Sequence, residues 1–563
     1  MESLLWPAGS SVRGGGPAPG TPPGAADLAP VGEETARDLE LGAVTDWIAR
    51  DRPDRRAYVE RLLAHPPLHP EVIRWRADVS RDLLADPRLC DGLEWAAREL
   101  RHLAEHRPER FPPEVGRAAR IGARLVELGA FLRTLEILRD ALGATARAPA
   151  LRALRAEVRQ TLEAPETAAL RAELPALTAV VASARSVRVA INVGPALEPE
   201  GAVLLGFSDR PAGLEDSALL RFTRAQGQRE RGLARLWRRS PVDWQAGGRM
   251  SEDVRQLLEA VAAPVERSLA AYRAIQTQGL LHLEDEFVTL AGAARMARSW
   301  AAAGLPHAVA EVEAPSPGAS GSEWAAEEAF HPALARQLPA GAGLTLNRIA
   351  FDPRGTAWIL TGPNRGGKTT YLRAAGLVQI LGQCGLPVPA AAAHLRPAHR
   401  VFTHFPALEA GLAGQGRLDE EAERMGRIFE ACQPGDMVLL NEVLAGTSAP
   451  EGSALAADIL RGLRLAGCNV IYATHLHDLA RRADELNASV DGPSTIRSLT
   501  VQTAADGPAL VRRPTYRVVP GEPEGASFFA SQIARRHGVS LPQIAALLER
   551  RAGPEVPMQP PPP

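Results

Sequence analysis

The spacing of apolar residues changes partway along the chain. Up to about residue 184, leucine and alanine recur every three or four positions among arginine and glutamate, as in the stretch ARLVEL at 123–128. This period places the apolar side chains on one face of an α-helix. From about residue 325 onwards, short uninterrupted apolar runs alternate with helical stretches. The pattern therefore predicts a set of helices followed by an α/β domain.

The helical half is interrupted by a short segment with the alternation of a β-strand. Residues 186–193 (SVRVAINV) alternate in this way, and residues 201–207 (GAVLLGF) provide a partner across a proline-containing turn. Two such runs joined by a turn predict a β-hairpin. Helical periodicity resumes over about 251–302, and a stretch rich in proline, serine and glycine follows at 314–322. We place the main domain boundary at that stretch.

Short apolar runs after this boundary have the length of buried strands. They lie at residues 358–360, 437–440 and 469–473, and a helical stretch at 452–465 separates the last two. The first run leads through a glycine-rich segment into a helix predicted from Thr369 to Gln383. Strands that alternate with helices indicate a parallel sheet, which binds its ligands at the carboxyl ends of the strands.

The composition is that of an ordinary globular protein. The 563 residues exceed what one hydrophobic core usually serves, and contents of 45% hydrophobic and 23% charged residues are typical. The formal net charge of −2 gives no general attraction to nucleic acid or anionic lipid. The cysteines are scattered without a CxxC pair, which favours a reducing compartment. Because no signal-peptide pattern or long apolar stretch is present, we expect a cytoplasmic protein outside the membrane.

One lysine stands out among the basic residues. Of 64 Lys and Arg residues, Lys368 is the only lysine, and it lies in GPNRGGKT at 362–369. This is the spacing of a Walker A phosphate loop, in which backbone N–H groups surround the phosphates and the lysine reaches the β and γ oxygens. A compact ammonium suits that pocket better than a planar guanidinium. The segment therefore predicts nucleotide binding.

Polar side chains follow two of the predicted strands. The strand at 437–440 ends in Asn441 and Glu442, where ATPases of this kind carry an acidic pair for Mg²⁺ and for the attacking water. Glu442 is the predicted general base; the alternative is a strand that ends in ordinary solvated polar residues. His475 follows the strand at 469–473 and can bond the γ-phosphate or the lytic water, with an ordinary loop histidine as the alternative.

Three motifs together resemble the ATPase domain of the MutS DNA mismatch-repair family. They are TGPNRGGKTTY at 361–371, NEVLAGTSAPEG at 441–452 and YATHLHDL at 472–479, with His331-Pro332 upstream. The resemblance covers about residues 325–550. It implies an α/β ABC-type P-loop ATPase domain preceded by a mainly α-helical core/lever region with a small β insert.

The patterns and the resemblance together divide the chain into expected domains. These are a disordered tail (1–33), a helical core/lever region (34–184), a small β element with an arginine-rich segment expected to contact DNA (185–245), returning lever helices (246–313), a MutS-type ATPase domain (325–511), a C-terminal helix-turn-helix for dimerisation (512–551) and a disordered tail (552–563).

The resemblance also implies an ATP hydrolase that uses ATP and Mg²⁺. The residues expected to bind the nucleotide are Gly362, Pro363, Asn364, Arg365, Gly366, Gly367, Lys368, Thr369 and Thr370, with Tyr516 against the adenine. The expected metal-binding residues are Thr369, Asn441 and Glu442, and the expected catalytic residues are Lys368, Glu442 and the switch histidine His475. Since the family works as a dimer with composite sites, a homodimer through the ATPase domain and the C-terminal helices is implied.

Two departures from the family pattern concern hydrolysis. Asn441 stands where the family has aspartate, so a neutral amide oxygen replaces a full charge near Mg²⁺ and we expect slow hydrolysis. After the glycines at 411–416, the family's Ser-Thr-Phe run is replaced by RLDEE at 417–421. We expect these acids to occupy the exposed first turn of a helix, where negative charge is favourable. The backbone N–H groups of the loop would still contact a phosphate in the neighbouring site.

Double-stranded or branched DNA is the expected partner. The helical half begins soon after residue 33, so we expect no N-terminal mismatch-reading domain, and we expect no appended nuclease domain. Seven arginines between residues 221 and 239 would give salt-dependent, sequence-independent contact with phosphates. The alternative is a solvated arginine-rich helix.

The expected function is that of a MutS-like, ATP-dependent, dimeric protein that clamps DNA. It is related to mismatch repair or recombination control, without base-specific mismatch reading. One alternative is a nucleotide-dependent structural switch with negligible hydrolysis, which Asn441 and the altered loop favour. Another is an ABC-type ATPase that acts on a protein partner.

Overall fold

The computed structural model of the chain describes residues 3–7, 27–50, 52–107, 116–143, 146–182, 186–195, 199–208, 210, 259, 262–313, 323–338, 343–406, 417–443, 449–506, 511–522 and 542–544. The chain folds into two compact units. The helical unit comprises Met1–Ser3 and Pro87–Phe287, and the α/β unit comprises Leu4–Asp86 and Val288–Pro563.

The helices, in chain order, are α1 (Glu33–Asp38), α2 (Leu41–Ile48), α3 (Arg56–Ala64), α4 (Pro70–Ala85), α5 (Pro87–Glu105), α6 (Arg117–Ala141), α7 (Pro149–Glu163), α8 (Pro165–Ala182), α9 (His282–Ala302), α10 (Pro332–Gln337), α11 (Lys368–Gln383), α12 (Arg417–Ala431), α13 (Ala449–Ala466), α14 (His477–Arg481) and α15 (Ala483–Ser489). Short 3-10 turns lie at Pro53–Arg55, Ala270–Tyr272 and Gln278–Leu280.

The strands are β1 (Ser186–Val193), β2 (Pro199–Ser208), β3 (Ala308–Val309), β4 (Glu311–Val312), β5 (Trp324–Ala329), β6 (Asn347–Phe351), β7 (Thr356–Thr361), β8 (Pro387–Val388), β9 (Ala392–Leu395), β10 (Val401–His404), β11 (Met437–Asn441), β12 (Asn469–Ala473), β13 (Thr495–Asp506) and β14 (Val511–Pro520).

Helices with an apolar stripe build the helical unit. Along α5, the buried residues include Leu89, Leu93 and Leu100, which recur with the helical period, and this helix packs along α6. Most of the stability of such helices comes from burying this stripe against a neighbour. The strands β1 and β2 pair antiparallel, from Ser186 opposite Ser208 to Val193 opposite Pro199. The hairpin predicted from the alternating pattern is therefore confirmed.

A six-stranded sheet forms the centre of the α/β unit, in the order β10-β11-β12-β7-β13-β14. The strands from β10 to β13 run parallel, and β14 is antiparallel to β13 at the edge. Every residue of β11 and β12 is buried, which explains their uninterrupted apolar sequences. The predicted parallel sheet is thus present. A second sheet, in the order β4-β9-β5-β6, belongs to the same unit.

The N-terminal helices differ from the predicted division of the chain. Residues up to Asp86 belong to the α/β unit and not to a helical region extending over 34–184. The reason is visible at Leu39, which is fully buried against Gly376 of α11. A Cβ atom at position 376 would lie 2.6 Å from a methyl carbon of Leu39, so only glycine allows this approach.

Part of the tail predicted to be disordered also packs on the α/β unit. Leu4 and Leu5 are fully buried, and the guanidinium of Arg76 lies 4.1 Å from the centre of the Trp6 ring. Arg76 also donates a hydrogen bond to the carbonyl of Leu5 at 2.9 Å. Because residues 1–33 are rich in glycine and proline, the sequence did not indicate that Leu4, Leu5 and Trp6 pack in this way.

The strand β14 extends beyond residue 511, the predicted end of the ATPase domain. Residues 512–520, assigned to the dimerisation segment, belong to β14, which pairs with β13 from Asp506 opposite Val511 to Leu499 opposite Pro520. Other predictions lie outside the described residues: the arginine-rich segment 221–239, the glycine loop 411–416, most of the helix-turn-helix and the C-terminal tail. Among the described residues, no helix is long and apolar enough to span a membrane.

Candidate functional site

The glycine-rich loop joins the carboxyl end of β7 to the first turn of α11. The loop starts at Gly362, whose φ of 152° lies in a region that favours glycine, and a Cβ atom there would approach Val501 to 2.7 Å. The loop then passes through residues 363–367, and α11 begins at Lys368. A helix N-terminus presents free N–H groups and a partial positive charge, which together favour an anion.

The side chain of Lys368 is held over this loop by hydrogen bonds to the backbone of the loop. Its side chain is 5% exposed, and Nζ donates to the carbonyl oxygens of Gly362 at 3.0 Å and Pro363 at 3.3 Å. Burial lowers the pKa of Lys368, and the nearby carboxylate of Glu442, 3.9 Å from Nζ, partly opposes this effect. The ammonium is therefore already placed where an anion bound to the helix N-terminus would meet it.

Two oxygen-bearing side chains meet beside Lys368. The hydroxyl of Thr369 donates to Oδ1 of Asn441 at 3.4 Å, and Asn441 is buried at the end of β11. Hydroxyl and amide carbonyl oxygens are ligands that suit Mg²⁺. The pair fits a magnesium ion, but it contributes no negative charge of its own.

Glu442 and His475 form the shortest contact of the site. Oε1 of Glu442 lies 2.7 Å from Nε2 of His475, which is itself 3.5 Å from Nζ of Lys368. The hydrogen bond from His475 holds the pKa of Glu442 below its usual range, against the effect of burial. The pair therefore keeps Glu442 ionised, as a general base requires.

The backbone fixes the direction of the Glu442 carboxylate. Glu442 has φ of 52°, in the left-handed region that non-glycine residues rarely adopt, and its N–H donates to the carbonyl of Ala473 at 2.8 Å. Unusual backbone angles of this kind occur at functional sites when the surrounding structure enforces them. The parallel pairing of β11 with β12 thus delivers Glu442 and His475 to the same edge of the sheet.

A pocket with a volume of about 450 Å³ opens beside the loop. Its lining includes the predicted residues Asn364, Arg365, Gly366, Gly367, Lys368, Thr369, Thr370, Glu442 and Tyr516. Gly362 and Pro363 do not line it and instead accept the hydrogen bonds of Lys368. Tyr516 is 52% exposed, and its ring lies 3.3 Å from where a Cβ of Gly367 would be, so the structure places it over the loop.

The pocket also has an apolar wall that the sequence did not indicate. It comprises Phe330, Leu334, Leu338 and Leu344, which precede the phosphate loop along the chain. The adjacent His331 was noted as part of a motif but received no role. No periodic signal marks these positions, because they come from a short helix and from the residues flanking it rather than from one amphipathic element.

His331 has a structural role at this wall. Its Nδ1 accepts a hydrogen bond from the N–H of Leu334 at 3.3 Å and so caps α10. Burial, reinforced by the positive charge of Arg373, lowers the pKa of His331 to about 4. The imidazole is therefore neutral, and its Nε2 lies 3.6 Å from a carboxylate oxygen of Glu40.

The loop after residues 411–416 is only partly as expected. The predicted helix is present as α12, and Asp419 is exposed in its first turn. Glu421, however, is buried, and its carbonyl oxygen lies 3.2 Å from Nε2 of His404. The acids therefore do not form one exposed cluster, because α12 turns the side of Glu421 and Met425 towards the sheet.

A second group of potential metal ligands lies in the helical unit. Within the described part of the chain, His102, Glu105 and His106 bring their ligand atoms within 4.8 Å of one another near the end of α5. Glu105 already accepts a hydrogen bond from Nε of Arg101 at 2.7 Å, and most of the group faces solvent. We therefore assign it no metal.

Together these features define an α/β domain with a glycine-rich loop at the N-terminus of a helix. Residues 358–506 match the family model described as MutS domain V. Over 129 residues the chain is 41% identical to the DNA mismatch repair protein MutS of Granulibacter bethesdensis, covering 23% of this chain and 14% of that protein. It is 36% identical over 147 residues to the MutS protein of Prochlorococcus marinus, covering 26% and 16%.

A eukaryotic relative shows the same similarity. The chain is 34% identical over 153 residues to a probable DNA mismatch repair protein Msh6 of Drosophila melanogaster, covering 27% of this chain and 13% of that protein. The C-terminal part of this chain therefore belongs to the MutS family. The alignments span between 13% and 25% of the curated relatives' lengths. The matched domain contains Lys368, Glu442 and His475, whereas Tyr516 and the helical unit lie outside it.

Proposed function

We propose that the chain is a MutS-like ATPase that binds ATP and Mg²⁺, dimerises and closes on DNA without reading mismatched bases. The observation that supports this most directly is the convergence of Lys368, Glu442 and His475 at the phosphate loop. Nζ of the lysine lies within 4 Å of both partners, and Glu442 and His475 are 2.7 Å apart. An ammonium, a carboxylate and an imidazole in this arrangement suit phosphoryl transfer to water.

Each side chain has a distinct task in this proposal. Lys368 and the N–H groups at the start of α11 bind the phosphates, while the apolar wall and Tyr516 hold the base. Thr369 and Asn441 would hold Mg²⁺, which neutralises charge on the phosphates when bound. Glu442 orients and deprotonates the attacking water, and His475 keeps the carboxylate ionised and in position.

The dimer and the DNA partner rest on the family resemblance. The loop at 411–416 would complete the site of a second copy, and the C-terminal helices would pack against that copy. The relatives are named for DNA mismatch repair, and the arginines between 221 and 239 supply cations for a phosphate backbone. The charge of the whole chain, −2, makes such a local patch necessary.

A specific observation favours a second candidate function. Asn441 occupies the buried position beside Thr369 and supplies an amide where a carboxylate would bind Mg²⁺ more strongly. With weaker metal binding, the chain would act as a switch whose ATP-bound state is the signal and whose hydrolysis is negligible. An ATPase that acts on a protein partner is a further candidate, and it differs in having no affinity for DNA.

Glu442→Gln tests the catalytic role. We expect turnover of Mg²⁺–ATP to fall by about 100-fold, because the amide cannot take a proton from water. ATP binding should persist, so that the variant accumulates as an ATP-bound dimer in size-exclusion chromatography. Glu485→Gln is the matched control, since Glu485 is an exposed carboxylate on α15 that pairs with Arg482.

The same assay separates the two candidate functions. If the chain is a slow ATPase, Asn441→Asp should strengthen the binding of Mg²⁺ and raise turnover. A native chain whose turnover equals that of Glu442→Gln, yet which dimerises with ATP, would establish the switch. Absence of ATP binding in the native chain would reject both.

A further inference from the structure

Asp38 joins three elements of the α/β unit. Its carboxylate Oδ2 accepts hydrogen bonds from the hydroxyl of Thr403 on β10 at 2.7 Å and from Nη2 of Arg424 on α12 at 2.8 Å. Its backbone carbonyl accepts a hydrogen bond from Nε of Arg373 on α11 at 2.8 Å. The residue lies at the end of α1, 335 positions before Arg373 and 386 positions before Arg424. A segment remote in sequence thus connects the two helices.

The ion pair between Asp38 and Arg424 is largely shielded from water. The side chains are 14% and 16% exposed, and Nη2 of Arg424 also donates to the carbonyl of Thr403 at 2.8 Å. Charge-assisted hydrogen bonds in such surroundings are short and directional. A second carboxylate, Glu34, binds Nε of the same arginine at 2.9 Å, but it is 53% exposed. The guanidinium is therefore held in one orientation mainly by Asp38.

The two residues that follow Asp38 also contact α11. Leu39 fills the space against Gly376, and Glu40 pairs with Nη1 of Arg373 at 2.6 Å. Glu40 has φ of 57° and starts a sharp change in chain direction before α2. Asp38 therefore cannot shift without disturbing a packed leucine and a second ion pair.

Each of the two helices that Asp38 connects is linked to a different part of the nucleotide site. α11 begins with Lys368, and Arg373 is on its second turn. On α12, Met425 and Ile428 belong to the same buried cluster as Leu440 and Val443, which flank Asn441 and Glu442. A movement of α12 that carried this cluster with it would change the separation of the lysine and the catalytic carboxylate.

We infer that Asp38 is a positioning residue for hydrolysis, which sets the placement of Glu442 relative to Lys368 by fixing α12 against α11. The inference rests on the proposed function for its effect on turnover. Asp38 does not touch the pocket, and the phosphate-binding groups lie within the loop and α11. Loss of the Asp38 charge should therefore affect catalytic alignment more than ATP binding, because small misplacements of reacting groups slow a reaction strongly.

Asp38→Asn is the test, because the amide has nearly the same size and leaves the backbone bond to Arg373 intact. We expect kcat for ATP to fall by about tenfold or more, with the affinity for ATP changed by less than about threefold. Glu34→Gln is the matched control: it removes the same charge from the exposed side of the same arginine and should leave kcat near the native value. Asp38→Glu, which restores the charge, should recover part of the loss.

Hydrogen exchange supplies a readout that does not depend on activity. In nucleotide-free protein, the amides of α12 should exchange faster in Asp38→Asn than in Glu34→Gln, with the amides of α5 in the helical unit as an internal reference. Unchanged α12 exchange would overturn the inference whatever the enzyme does. Equal losses of kcat and ATP affinity would overturn it too, because they would indicate general damage to the loop.

The two proposals fail in different ways. If the native chain shows no turnover that depends on Glu442, the proposed function fails, and the exchange experiment still decides whether Asp38 fixes α12. If the native chain is active and Asp38→Asn retains its kcat, the proposed function stands and the positioning role is rejected.

Discussion

The ammonium of Lys368 and the carboxylate of Glu442 both have partners within the site. The ammonium is satisfied by two backbone carbonyls while the carboxylate is bound to the imidazole. An incoming phosphate must therefore compete with neutral carbonyl oxygens for the lysine, and it brings more negative charge than they do. This exchange favours phosphate, and it leaves Glu442 in contact with His475 at 2.7 Å.

The buried imidazole of His331 should make the stability of the fold depend on pH. The unfolded imidazole takes up a proton near its ordinary pKa of about 6.5, whereas the folded one does so at about 4. Between these values the unfolded state binds more protons, so the stability is fully present above about 6.5 and is lost as pH falls towards 4. The full contribution to the free energy of unfolding amounts to about 3 kcal/mol.

His331→Asn should remove this dependence and keep the helix cap. Asparagine can accept the bond from the N–H of Leu334, but it does not titrate. We expect thermal unfolding of the variant to change less between pH 4 and pH 6.5 than that of the native chain. Parallel curves for the two proteins would show that His331 is not the group responsible.

The predictability of these residues depends on how far apart their partners lie. The phosphate loop is contiguous, so its residues could be assigned from spacing alone, and all but Gly362 and Pro363 line the pocket. His475 remained ambiguous because its partner Glu442 lies on another strand. Asp38 carried no signal at all, since its contacts are with residues 335 to 386 positions away.

At the scale of elements, hydrophobic pattern predicted strands better than it predicted helix orientation. β7, β11 and β12 contain the predicted apolar runs, because strands buried on both faces are apolar throughout. On α12, by contrast, Leu418 and Phe429 are exposed while Glu421 is buried. The buried side of α12 is formed by Glu421, Met425 and Ile428, so it is rotated relative to the apolar side. Tertiary contacts such as that between Arg424 and Asp38 favour this rotation.

Gly376 tests the contact between α11 and the N-terminal segment. In Gly376→Ala the new methyl group would lie 2.6 Å from Leu39, and we expect a loss of about 1–3 kcal/mol in stability. Gly426→Ala on α12 is the matched control, because nothing lies within 4 Å of the added atom. It should stabilise its helix by about 0.5–1 kcal/mol.

Differential scanning calorimetry of both glycine variants decides the point. Leu39→Ala should destabilise Gly376→Ala less than it destabilises the native chain, since the smaller side chain makes room for the methyl group. If Gly376→Ala unfolds at the temperature of the Gly426→Ala variant, the close approach between the segment and α11 does not occur in solution.

At the scale of the whole molecule, the DNA partner is the broadest prediction. We expect binding to branched, mismatched and plain duplexes with similar affinity, and a steep decline as salt increases. Neutralising Arg235, Arg238 and Arg239 should lower the slope of log affinity against log salt by roughly three. Fluorescence anisotropy with labelled duplexes across a salt series measures this slope.

The control neutralises an equal number of arginines in the α/β unit. Arg427, Arg482 and Arg497 each pair with a nearby carboxylate on the surface of that unit and should leave the slope unchanged. If the native chain does not bind duplex at low salt, the DNA function is rejected and the protein-partner alternative gains support.

The discontinuous α/β unit also affects how the chain is made. The residues up to Asp86 leave the ribosome first, but their partners on α11 and α12 follow only after the whole helical unit has been synthesised. Domains generally fold in the order of synthesis, yet here the earliest segment belongs to the unit that is completed last. Leu39 packs against Gly376 of α11 in the finished fold, so it has to wait for this contact until α11 has been made. We therefore expect the segment Leu4–Asp86 to complete its packing only after residues 368–424 emerge.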